Sequence, residues 1–208
     1  IGARFMPNRQ VLTDQQAEAL NVNPKYFKDC SDAIIMTSRG GNQYDRTFME
    51  SYIHPGIGLQ NWVSSSNYPA LNVVQTGEHE MSVYVNENYA QPTAHLKRYS
   101  MRLDGFASIE AGYDGGSVTT HPFVFEGKEL EINYSTSAAG SVLVEILDEN
   151  VRPIPGYSSD DCQEIIGNEI SRLVEWKDSS DVSELQGKVV RLKFILKDCN
   201  LYSFKFNE

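Results

Sequence analysis

No run of lysine or arginine forms a stripe along this chain. Its 18 basic residues stand against 28 acidic ones, a formal charge of −10 over 208 residues, so nothing neutralises a phosphate backbone and nucleic acid is not an expected partner. Long apolar runs are missing too. None reaches the roughly 20 residues of a membrane-spanning helix, and the first residues carry no basic, apolar, small-residue signal pattern, so membrane insertion is not expected. Cysteine is scarce and odd in number: Cys30, Cys162 and Cys199 show no C-x-x-C spacing, which indicates neither a disulfide framework nor a zinc site. Two of them can pair, but buried free thiols are the expectation. Gly40-Gly41, Gly115-Gly116 and Gly140 do not lead from a strand into a helix, so no phosphate-cradling loop is present. Without a Gly-x-Ser-x-Gly elbow, a Ser-His-Asp triad has no support. His54, His79, His95 and His121 lack metal-site spacing, and the acidic loop of Asp178, Asp181 and Glu184 lacks the glycine of a calcium loop. No cofactor is expected. The first residue is Ile1 and not Met, which reads as a fragment, a processed product or a cropped domain.

What the chain does have is β-pattern. From 103 to 206, segments such as Leu130-Glu131-Ile132-Asn133-Tyr134, Val142-Leu143-Val144-Glu145-Ile146-Leu147 and Val189-Val190-Arg191-Leu192-Lys193-Phe194-Ile195-Leu196 are rich in β-branched and aromatic residues. Gly, Asp and Asn turns separate them. This predicts an antiparallel two-sheet β-sandwich over 104–208, with Trp176 and Phe194 between the sheets and helix confined to one turn near 181–185. Tyr202, Phe204 and Phe206 alternate with polar residues, the period of a half-buried strand. Asn133-Tyr134-Ser135 has the form of a glycosylation acceptor, a match that is common by chance.

Residues 1–103 read differently. The first 30 are polar and irregular, with helix-forming composition only at Asp14-Gln15-Gln16-Ala17-Glu18-Ala19-Leu20, behind a Thr13 or Asp14 cap. A hairpin of 33–38 and 46–53 is predicted next, then short strands at 70–74, 81–85 and 94–103. Their spacing of 10 to 15 residues suggests about one and a half blades of a β-propeller, too little to close a ring. The fold class expected is therefore all-β, a partial propeller-like region at 1–103 followed by a sandwich at 104–208.

Several runs carry a family resemblance: Ser38-Arg39-Gly40-Gly41, Tyr44-Asp45-Arg46-Thr47-Phe48, Asn61-Trp62, Asn67-Tyr68-Pro69-Ala70, Glu80-Met81-Ser82-Val83-Tyr84 and Arg98-Tyr99-Ser100-Met101-Arg102-Leu103-Asp104-Gly105-Phe106. Together they resemble the end of bacterial glycoside-hydrolase-like proteins, in which a five-bladed propeller of the invertase and arabinanase type precedes a β-sandwich. The resemblance covers about 31–206. It implies a carbohydrate partner and an accessory role for the sandwich.

Hydrolysis of a glycosidic bond needs two carboxyl groups about 5 to 10 Å apart across the sugar. Among Asp32, Asp45, Glu50, Glu78 and Glu80, the last is the candidate acid, because it opens a strand beside Met81 and Tyr84 where apolar surroundings would hold its proton. The ordinary alternative is a carboxylate that solvates a strand end. Sugars are also held by stacking on aromatic rings while polar groups take the hydroxyls, which nominates Trp62, Asn67, Tyr68, Tyr84 and Tyr89 with Arg39 and Arg46. Against this, Trp62 and Tyr68 can be loop anchors and the arginines solvated turn residues. Three readings follow: the C-terminal part of a glycoside hydrolase, inactive alone for want of a second carboxylate; a non-catalytic carbohydrate-binding or surface-interaction module; or a structural accessory domain.

Overall fold

The computed structural model describes all residues, 1–208. Strand takes up 43% of the chain and helix 6%, so the fold is all-β; its sheets are antiparallel, and one is curled into a half-barrel. The chain divides into two compact units, Ile1–Met101 and Arg102–Glu208.

In the first unit, β1 (Gly2–Met6) pairs with β2 (Cys30–Ile34). Arg4 stands directly opposite Asp32, and its Nε and Nη2 donate to the two carboxylate oxygens at 2.8 and 2.6 Å. This bidentate fork fixes the register. The pair takes the place of the hairpin expected over 33–38 and 46–53, where only the single bridges Ala33↔Ile53 and Thr37↔Asp45 form. Residues 37–50 are exposed throughout, Phe48 and Met49 included. With no buried face, that run has nothing to set a strand register.

Helix α1 (Asp14–Ala19) is capped by Thr13, one of the two caps expected. Thr13 Oγ1 accepts from the Gln16 amide at 3.2 Å, and Gln16 Oε1 accepts from the Thr13 amide at 2.9 Å. The reciprocal pair is a capping box, and it places Ala17 in a cluster with Leu12, Val22, Phe27 and Val63. The rest of the unit is a four-stranded sheet of β3 (Tyr68–Pro69), β4 (Val74–Gln75), β5 (Glu80–Glu87) and β6 (His95–Arg102). β3 and β4 pair with successive stretches of β5, Tyr68↔Asn86 and Val74↔Ser82, and β6 also pairs with β5. Alternation along β5 turns Met81, Val83, Val85 and Glu87 to one face and Glu80, Ser82, Tyr84 and Asn86 to the other. Val83 and Val85 pack with Ala33 and Ile53, flanked by Tyr52, Tyr99 and Met101.

The second unit is one five-stranded hydrogen-bonded sheet: β7 (Ile109–Ala111), β8 (Gly116–Thr119), β9 (Glu129–Leu147), β10 (Asn168–Leu173) and β11 (Arg191–Asn207). Four strands expected from the sequence are the halves of two long ones. The segments at 130–134 and 142–147 are both β9, of 19 residues, and those expected at 189–196 and 201–206 fall in β11, of 17, which begins at Arg191. The two strands pair from Arg191↔Leu147 to Asn207↔Glu129, with register shifts between Lys197 and Cys199, where residues 137–140 have no ladder partner, and between Leu201 and Ser203. Such bulges bend and twist a strand without ending it. Gly140, which the sequence presents as a break, is a point of close approach: a Cβ there would lie 2.2 Å from the Asp198 carbonyl oxygen.

Leu130, Ile132, Tyr134, Val142, Val144, Ile146, Leu192 and Phe194 make the core of this unit with Trp176, whose indole nitrogen donates to Val144 O at 2.9 Å. Phe206 stacks on Phe125 with centroids 3.8 Å apart. Helix is limited to the single 3-10 turn Ser183–Leu185, and Cys30, Cys162 and Cys199 are free and buried. Asn133, the asparagine of the glycosylation motif, is 2% exposed in mid-strand.

Candidate functional site

Strand β5 carries a polar cluster on each face. On the outward face Glu80 forms an ion pair with Arg98 of β6 and accepts from Thr76 Oγ1 at 2.7 Å. Arg98 Nε donates to Ser82 Oγ at 3.0 Å, and the Ser82 and Thr76 hydroxyls lie 2.7 Å apart. The carboxylate is thus a fixed acceptor beside a cation, 38% exposed, and not a group enclosed by apolar side chains. Met81, one of the apolar neighbours expected for it, points to the other face. Tyr84 lies four residues beyond Glu80 on the outward face. Tyr68 shares that face too, because it pairs with Asn86, so the two tyrosines are diagonal cross-strand neighbours.

On the inward face Glu87, 8% exposed, accepts from the Tyr99 hydroxyl and pairs with Lys97 Nζ at 3.2 Å and with His95 Nε2 at 3.4 Å. His95 Nδ1 is fixed 2.9 Å from the Thr93 carbonyl oxygen. Burial pushes the Glu87 carboxyl up, but the Tyr99 hydroxyl and the Lys97 ammonium together outweigh it and leave the group below its ordinary value. Burial and the neighbouring carboxylate both raise the Tyr99 phenol. Chemically this is a compensated anion. Glu87 matches no site pattern in the sequence, and His95 lacks metal-site spacing. The available signal was parity: Glu87 shares its side of β5 with Val83 and Val85, and Lys97 and Tyr99 alternate in the same way on β6.

The remaining candidates are dispersed. Asn67 is fully buried with φ +64°, and its Nδ2 donates to Ser31 O at 3.0 Å and to Asn61 O at 3.1 Å. It ties the 59–67 turn to β2. Trp62 packs against the α1 cluster and donates from Nε1 to Gly56 O at 3.1 Å, which is the arrangement of a loop anchor. Tyr89 meets the Tyr26 ring edge-on at 5.2 Å. Arg39 and Arg46 lie on the exposed 37–50 segment, where Arg39 borders an open hollow of about 570 Å³ with Thr37, Gln43, Tyr44 and Asp45. Of the residues nominated from sequence, the fold places Glu80, Tyr84 and Tyr68 on one face of the β5 sheet, spread along the strand and with Arg98 beside Glu80, while Trp62, Asn67, Arg39 and Arg46 belong to other parts of the unit. Compared with known proteins, the chain matches no family model, no curated protein and no solved structure.

Proposed function

We propose that the chain is the carbohydrate-binding, non-catalytic part of a glycoside-hydrolase-like protein, and that it holds sugar on the outward face of β5. One observation carries the reading: Tyr68 and Tyr84 are diagonal neighbours on the face that also presents the Glu80–Arg98 pair. Ring faces accept the apolar side of a sugar, while a fixed carboxylate and guanidinium take its hydroxyls as acceptor and donor. Catalysis by this face has less support. Its one strand carboxylate is bound to Arg98 and Thr76, and the other acid of β5, Glu87, points the opposite way, whereas hydrolysis needs two carboxyl groups across one bond.

The test is a glycan array on the intact chain, followed by titration of the best ligand into the wild type and into Tyr68→Ala and Tyr84→Ala. Each variant is expected to bind at least tenfold more weakly, and no aryl glycoside is expected to turn over. Unchanged binding in both variants defeats the reading. Turnover that Glu80→Gln abolishes replaces it with a catalytic one.

A further inference from the structure

We infer that the segment 37–50 is a site of limited proteolysis: an arginine-specific endopeptidase cuts the Arg39–Gly40 bond first, and the product is a two-chain protein whose pieces stay together. The inference concerns the first unit alone and does not rest on its binding of carbohydrate.

An endopeptidase takes its substrate as an extended strand, through main-chain hydrogen bonds. A folded chain is therefore cut where its backbone is exposed and unpaired. Residues 37–50 are the longest uninterrupted exposed run of the chain. Their only backbone–backbone hydrogen bonds are the reciprocal pair between Thr37 and Asp45, at 3.0 and 2.7 Å. That pair closes the base of a loop along the open hollow bordered by Arg39, Gly40, Gln43 and Tyr44. Gly40 and Gly41 have φ of +109° and +69°, and a Cβ on either would meet nothing within 4 Å. The backbone just after Arg39 thus has room beside it for another molecule.

The run offers two arginines, and their surroundings rank them. The Gly40 amide donates only to Ser38 Oγ, at 3.1 Å, a local turn that can open without disturbing the fold. After Arg46, by contrast, the Thr47 amide and hydroxyl both donate to Asp45 Oδ1, at 2.8 and 2.6 Å, and Asp45 is itself half of the Thr37 pair. The Arg46–Thr47 bond is held in a turn and is the slower site. Elsewhere the basic residues are protected. Lys97, Arg98 and Arg172 lie within paired strands, Lys25 and Lys28 flank the buried Phe27, and the Lys177 amide donates to Asp161 O at 2.9 Å. A cut that has to wait for global unfolding is slowed by about 10³-fold or more.

Hydrolysis consumes one water. Its hydroxyl goes to the Arg39 carbonyl carbon and its hydrogen to the Gly40 nitrogen as the C–N bond breaks, and the carboxyl proton then passes to the new amine. The resulting carboxylate and ammonium form on exposed residues and stay hydrated, so cutting buries no charge.

The pieces stay joined because the core of the unit spans the cut. Leu12, Ala17, Val22 and Phe27 from before it pack with Val63 from after it, and Ala33 packs with Val83 and Val85. Hydrogen bonds cross as well: Ser31 Oγ donates to Ser66 O at 2.7 Å, and Asn67 Nδ2 to Ser31 O at 3.0 Å.

The experiment digests the full chain under native conditions with a trace of trypsin and follows it by intact-mass spectrometry and size-exclusion chromatography. The first products expected are residues 1–39 and 40–208, eluting together at the volume of the uncut chain. Arg39→Gln should move the first cut to Arg46, and Arg39→Gln with Arg46→Gln should slow the first cut about tenfold or more, because every other site waits for opening of the fold. Both arginines are exposed, so an unchanged melting temperature is expected and shows that altered cleavage is not altered folding. The proposal is overturned by a first cut of the wild type anywhere but Arg39–Gly40, by a double variant cut as fast as the wild type, or by 1–39 eluting apart from 40–208.

Discussion

Replacing Glu87 by glutamine tests the inward cluster of the first unit. Glutamine keeps the shape and one acceptor oxygen, so the Tyr99 bond falls from a charge-assisted one, worth about 1.5–3 kcal/mol, to a neutral one nearer 1 kcal/mol. The Lys97 ion pair and the His95 contact, whose side chains are 50% and 49% exposed, are discounted for solvent and contribute no more than about 1 kcal/mol between them. The expected loss is about 2 kcal/mol. At about 4–8 °C per kcal/mol for a unit of this size, the calorimetric transition of residues 1–101 should fall by about 8–16 °C at neutral pH. The pH dependence supplies a second check. A carboxyl held below its ordinary value in the folded state stabilises above its unfolded pKa of about 4.3, and that stability is lost as pH falls through the folded value. The gap between wild type and Glu87→Gln should therefore be full at pH 7 and shrink below about pH 4.5. A shift under about 2 °C at neutral pH, or a gap that stays constant down to pH 3, refutes the assignment of Glu87 as the stabilising anion of this sheet.

Gly140→Ala forces a Cβ to within 2.2 Å of Asp198 O and 2.6 Å of Lys197 O; both are backbone atoms, so the second unit should lose about 3 kcal/mol or more, and a normal melting temperature contradicts the close approach. Lys193→Met leaves the Glu145 carboxylate, 9% exposed and paired at 2.9 Å, with only its Ser159 bond; a cost of about 2–3 kcal/mol is expected at pH 7, and denaturant titration showing none would mean that the pair is dispensable. Tyr134 and Tyr157 are both pushed up to about 12, chiefly by burial and then by nearby carboxylates. Their neutral forms stabilise the second unit below the unfolded value of about 10, and the contribution disappears as pH rises from there to about 12. Tyr134→Phe with Tyr157→Phe should accordingly flatten the alkaline limb of the stability curve, and an unaltered limb in urea melts between pH 9 and 12 argues otherwise.

Local chemistry was legible in the sequence; long-range pairing was not. Thr13 and Gln16 announce their helix because a capping box is complete within four residues. The β content of the second unit is written in the apolar runs around Ile132, Val144 and Leu192, whose segments are strands as read. Their joining into β9 and β11 was hidden, because Gly140 looks like a turn until the Asp198 carbonyl lies against it. The β1–β2 pair was hidden for a related reason: Arg4 and Asp32 are 28 positions apart, and nothing within either segment specifies the other. At the candidate site, Glu80 and Tyr84 were legible as an acid and an aromatic residue four positions apart on one strand face. Arg98 was not selected, since its role depends on β6 lying beside β5.

The place of β11 in the strand order bears on how the second unit can come into being. β7, β8 and β9 each take β11 as a partner, yet β11 follows all of them along the chain. While the polypeptide is being synthesised, residues 102–190 hold two short strands and one long one whose shared neighbour does not yet exist. Only the β9–β10 pairing can form in advance. The unit must therefore remain open, with unpaired strand edges, until residues 191–207 emerge, and it then closes through contacts that are distant in sequence, a slow class of folding event. Loss of the last dozen residues of β11 would act as a failure of assembly and not as the removal of a dispensable tail.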